Sequence, residues 1–153
     1  MVIGEALNRR ADLRRRIAAL QERIRECVLV EEGAEPPEDA GGLLAEVGTL
    51  CDELQNLIAQ LNHSNAVSRL STGETVTEAL ARRDVIELRR KALNDAVAAT
   101  TGRGLYSLRR GEARMVRQVS VGDLQREIDS RARERRELEN LLQQHNWTAP
   151  LVV

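Results

Sequence analysis

Aliphatic residues recur in steps of four and three along two long stretches of this chain, and almost no aromatic residue competes with them. Leu13, Ile17, Leu20, Ile24 and Cys27 form one such series; Leu43, Val47, Leu50, Leu54, Leu57 and Leu61 form the other. With 3.6 residues to a turn, this spacing holds the side chains on one helix face. The chain is therefore expected to be all-α, with long helices side by side around a core of Leu, Ile, Val and Ala. The arrangement read from the pattern is a long antiparallel helical hairpin with two further helices. It is a four-helix, coiled-coil-like fold with a short extended segment before the last helix.

A length of 153 residues reads as one domain spanning 1–153, able to bury about two-thirds of its unfolded surface. Charged residues make up 31% of the chain, yet the net charge is only -1, which removes a whole-molecule argument for nucleic acid or an anionic membrane. Lys91 is the only lysine among 23 basic residues. The surface is accordingly rich in planar guanidinium donors suited to Glu–Arg networks. Glu5, Arg9 and Arg10 stand where a secretory apolar region would be, and no apolar run approaches the ~20 residues needed to span a bilayer. The expectation is a cytoplasmic protein without membrane insertion. Cys27 and Cys51 are too few for a disulfide framework. Both fall on apolar helix faces and read as buried free thiols. A hairpin turn centred near Glu35 would offset them too far along the helices for a bridge.

The first helix is expected at about 3–28. The segment EEGAEPPEDAGG, with Pro36, Pro37 and three glycines, then stops it. The second, at about 43–67, carries a surplus row, Leu44, Cys51 and Ile58, spaced by seven beside the main one. The third, at about 75–99, opens on Thr75-Val76-Thr77-Glu78, a capping box. Its apolar row contains Arg82 and Arg89, which must either reach out to solvent or meet acids across a seam. Helical periodicity fails over 101–120, read as a loop or short hairpin. The fourth helix, at about 121–146 with Ser120 as cap, has a polar middle at Arg131 and Arg135.

Charge is distributed unevenly. Glu26 to Ser68 holds nine acids and no Lys or Arg, whereas Met1 to Arg25 holds seven Arg against three acids. Pairing the first two helices antiparallel sets a basic face beside an acidic one, which specifies partner and register more than it adds stability.

The chain lacks GxSxG, HExxH and a Gly-rich phosphate loop. His63 and His145 lie on different helices, and no Cys or His pair has ligand spacing, so no catalytic residue, metal site or cofactor is assigned. Two polar groups remain. Asn62, Asn65, Arg82, Arg83, Asp84 and Arg89 form a candidate polar or anion site, whose simpler reading is a polar layer that fixes helix register. Arg103, Arg109, Arg110, Arg114 and Arg117, opposed within their segment only by Glu112, form a candidate nucleic-acid contact. Against it, Tyr106 and Trp147 are the only aromatics available for base stacking.

The segments GEALNRRADLRRRI, EEGAEPPED, IAQLNHSNAVSRL, TVTEALARRDVIELRRKAL and LLQQHNW span nearly the whole chain and resemble a septicolysin-like family of small bacterial helical proteins. The resemblance implies a bacterial helical protein without an established activity. The name suggests thiol-activated cytolysins, but the chain has no tryptophan-rich cysteine loop and lacks the size of a pore-forming toxin.

The surplus row of the second helix, the polar Arg131 and Arg135 and the apolar end of the fourth helix point beyond one chain. Leu138, Leu141, Leu142 and Trp147 are the expected oligomer contacts, with the tail from Pro150 contributing. The leading functional expectation is a non-enzymatic, self-associating structural or scaffold protein. Nucleic-acid or anion binding through the basic 103–117 loop is the alternative, and an enzyme is third.

Overall fold

The computed structural model describes residues 1–100 and 116–152. Among the described residues the architecture is all-α: four helices, two isolated β-bridges and no strand. The helices are α1 (Ile3–Cys27), α2 (Ala40–Val67), α3 (Val76–Thr100) and α4 (Val121–Thr148). The extended segment or hairpin expected over 101–120 lies outside the described residues except for 116–120, which hold no strand.

The helix starts follow local chemistry. After Pro36 and Pro37, the Asp39 carboxylate accepts the Gly41 N–H at 3.0 Å and begins α2 at Ala40, three residues ahead of the first seam leucine. The capping box of α3 is formed: Thr75 Oγ1 accepts the Glu78 N–H at 3.2 Å, and the Glu78 carboxylate accepts the Thr75 N–H at 2.7 Å. Gly73, at φ 92°, supplies the left-handed turn that precedes it. Ser120 caps α4 through its Oγ, which accepts the Asp123 N–H at 3.3 Å.

The chain divides into two compact units, Met1–Ser68 with Gln144–Val153, and Arg69–Gln143. The first is the α1–α2 hairpin. Ala6, Leu13, Leu20 and Cys27 are buried every seventh residue on α1, facing Leu43, Leu50 and Leu57 on α2. Along one flank Arg9 meets Glu53 at 2.6 Å, Arg16 meets Glu46 at 3.4 Å, and Arg23 meets Glu38. This ladder is the basic face set against the acidic one. The first two pairs are symmetric about residue 31, so the hairpin is registered some four residues ahead of a turn centred on Glu35. The chain end closes the unit: Ile3 N–H donates to the Ala149 carbonyl, Leu151 N–H donates to the Met1 carbonyl, and Ala149 and Leu151 pack on the core.

The core of the second unit is Leu70, Val76, Ala79 and Ile86 against Leu138 and Leu142, with Leu80 and Leu141 at its edge. Two of the four expected oligomer contacts fall in this core. Leu138 is 1% and Leu142 3% exposed, covered by the chain's own α3 and the turn before it.

Candidate functional site

The helical repeat that buries Ala79 and Ile86 on α3 sets Arg83 and Arg90, also seven apart, along one side of that row. On α4 the polar middle supplies Arg135, Arg136 and Glu139 beside the small Ala132. Together these six residues line an open groove of about 480 Å³. Arg83 donates through Nε and Nη2 to Asp84 Oδ1 at 3.2 and 3.1 Å. Glu87 Oε2 receives Arg90 Nη1 at 2.9 Å and stands 3.5 Å from Arg135 Nη1. Arg136 has no ion pair among the described residues. Arg90 Nε is buried with no hydrogen-bond partner there.

A second group of charges surrounds another groove, lined in part by Val85, Ile86, Arg82, Arg89 and Arg131. Arg82 reaches Glu74 at 2.5 Å and Glu134 of α4 at 3.5 Å. The hydrogen bond from Arg82 holds the Glu74 carboxyl below its ordinary value, and the same bond raises Arg82. Of the two arginines in the apolar row of α3, Arg82 therefore meets acids, while Arg89 is exposed. Arg131 is held by Glu134 at 3.0 Å and Glu127 at 3.6 Å, all on α4. The charges of Arg131 and Arg135 are thus engaged by carboxylates of their own chain.

The six residues expected to form one polar site are divided between the units. Asn62 and Asn65 belong to the first, and Arg82, Arg83, Asp84 and Arg89 to the second. Of the candidate nucleic-acid contacts, Arg103, Arg109, Arg110 and Arg114 lie outside the described residues. Arg117 is exposed and donates to the Thr100 carbonyl at 3.2 Å. Trp147 is 59% exposed, and its ring covers Gly4.

Sequence reasoning missed a polar knot in the first unit. Ser64 takes the core position that follows Leu43, Leu50 and Leu57 by sevens, and it is 0% exposed. Its Oγ accepts the Val152 N–H at 2.9 Å. Ser68 Oγ donates to the Ser64 carbonyl at 2.6 Å and stands 3.1 Å from His145 Nε2. A hydroxyl carries one proton, and here it goes to the carbonyl, so His145 acts as donor to Ser68 rather than as its base. That geometry ties the chain end to α2 and does not activate a nucleophile. The interruption of a leucine heptad by serine was the available signal.

The surplus row of α2 is partly exposed, and Leu29 and Leu88 are exposed elsewhere among the described residues. Leu44 is 54% exposed, Cys51 is exposed and Ile58 half-buried. Cys27 is buried and both thiols are free, so the expectation of two buried cysteines fails at Cys51. The hairpin helices meet along the Leu43–Leu50–Leu57 row, which leaves Cys51 on the flank. Nothing lies within 4 Å of where a Cβ on Gly48 would stand, so the surface beside Leu44 and Cys51 is open.

The structure is that of an all-α protein built on a two-helix coiled-coil hairpin, with no metal-binding group of His, Cys, Asp or Glu among the described residues. By its sequence over residues 10–151 the chain belongs to a family of unknown function, DUF6847. Nothing in this match confirms the septicolysin-like designation, while a small helical family of unknown function fits it. The chain is similar to a functionally unknown conserved protein from Corynebacterium diphtheriae, known from a crystal structure. The two share 29% identity and a TM-score of 0.86, covering 99% of each chain. No curated protein matches. None of the described helices is long and apolar enough to cross a membrane.

Proposed function

We propose that this protein is a non-enzymatic scaffold of the bacterial cytoplasm that self-associates through the outer face of α2. The observation that carries the reading is the row Leu44, Cys51 and Ile58, with Leu44 more than half exposed in the single chain. A seven-residue apolar repeat is what a second helix packs against. The row is also self-complementary. Antiparallel pairing of α2 with a second copy sets Leu44 against Ile58 and brings the two Cys51 positions together, as an isologous two-fold contact requires. Gly48, which costs helix stability at an exposed position, lets the two backbones approach. Nothing in this reading calls for cytolysis, the activity suggested by the septicolysin-like name. Mild oxidation of the reduced protein should give a covalent dimer that Cys51→Ser abolishes, and Leu44→Glu should lower the assembled mass in light scattering. A chain that neither cross-links nor exceeds the monomer mass contradicts the proposal. Binding by the basic 103–117 segment remains the alternative, supported by that segment's charge, and salt-sensitive binding to mixed DNA would favour it.

A further inference from the structure

We propose that the groove lined by Arg83, Arg90, Arg135 and Arg136 binds the phosphoryl oxygens of a small anion carrying two linked phosphate groups. Four arginines line about 480 Å³ of open space. The carboxylates that neutralise them leave most of their donors uncommitted. Asp84 engages only Arg83, and Glu87 is shared between Arg90 and Arg135. Glu139 is the single acid lining the groove, and Arg136 has no carboxylate partner among the described residues. A planar guanidinium presents paired N–H groups that match two oxygens of a phosphate.

Arg136 points to a ligand most directly, because it is exposed, lines the groove and has no carboxylate partner among the described residues, so its donors are available to a phosphoryl oxygen. The number of donors sets the class of ligand. Arg83 and Arg90 stand seven residues apart, about 10 Å along α3, and Arg135 and Arg136 add charge from α4. A diphosphate presents more oxygens and more negative charge to four arginines than one orthophosphate does. Ala132 keeps the wall low where a longer side chain would occupy the space. No aromatic residue lines the groove to stack a base, so recognition falls on the phosphates rather than on what they are attached to.

Calorimetric titration of the intact protein with inorganic pyrophosphate tests this. Pyrophosphate should bind, orthophosphate should bind at least tenfold more weakly, and Arg136→Gln should weaken pyrophosphate at least tenfold. Arg90→Gln should do the same with unchanged helical circular dichroism. Arg136 is exposed, so its variant keeps the proposal testable if the Arg90 variant fails to fold. Arg15→Gln, in the other unit, should leave affinity unchanged. ADP binding as well as pyrophosphate would identify a nucleotide as a source of the group, and binding of pyrophosphate in preference to ADP would identify the free anion. No heat from pyrophosphate at millimolar concentration overturns the proposal. So does an equal loss on Arg15→Gln, or binding of single-stranded DNA without binding of pyrophosphate.

Discussion

Gly4 and Trp147 show how a single atom can fix a contact. A Cβ on Gly4 would stand 2.9 Å from Trp147 Cε3 and 3.1 Å from the Asn146 carbonyl oxygen, so the ring or the helix must move. Gly4→Ala should cost about 1–3 kcal/mol in urea unfolding and should shift the emission of Trp147, the only tryptophan. Gly48→Ala, with open space at the same atom, should raise monomer stability by about 0.5–1 kcal/mol. Glu74 gives the pH dependence. Its folded carboxyl is held below the ordinary 4.5 by the hydrogen bond from Arg82, so below that pH the unfolded chain takes up the proton first. The stabilisation is whole above about pH 4.5 and is lost as pH falls through the lower folded value. Glu74→Gln should lower stability by about 0.5–1 kcal/mol at pH 7, because the pair is partly exposed, and should flatten the acid limb of the melting-temperature profile. Residue roles of this kind were only partly legible in sequence. The Thr75–Glu78 box is local and could be read, but the acids that Arg82 finds, Glu74 and Glu134, come from a turn and another helix.

At the scale of elements, hydrophobic period identifies the helices and leaves their register open. The seam residues Leu13, Leu20, Leu50 and Leu57 are buried as the four-three spacing implies, because alternate seam positions face the partner helix directly. Leu54, central in the sequence pattern, is only half-buried, and the arginine–glutamate ladder sets the hairpin turn earlier than the prolines suggest. Composition of the loop does not say how its residues are shared between the two sides of the turn. Leu13→Ala and Leu50→Ala should each cost about 2–5 kcal/mol, and Leu54→Ala under about 2, by chemical denaturation. Arg15→Gln, on the exposed face, should stay within about 0.5 kcal/mol. Equal losses at Leu50 and Leu54 would mean that the seam runs between the two rows.

For the whole molecule, the sequence pattern showed more apolar surface than one seam requires but not which part the chain would cover itself. Leu138, Leu142 and the tail are consumed internally, because long-range contacts to α3 and to the amino terminus leave no trace in local periodicity. Leu44 and Cys51 of the outer row of α2, and Trp147, remain exposed. The arginine groove was equally hidden: Arg83 and Arg136 lie far apart in sequence, and only the packing of α3 beside α4 brings them to one cavity. Self-association through α2 is the central claim, and the mass of the intact protein in reducing buffer tests it most directly. Sedimentation equilibrium at tens of micromolar should give twice 17.1 kDa or a higher multiple, falling towards 17.1 kDa in Leu44→Glu with helicity retained. A wild-type mass of 17.1 kDa across that concentration range would contradict it.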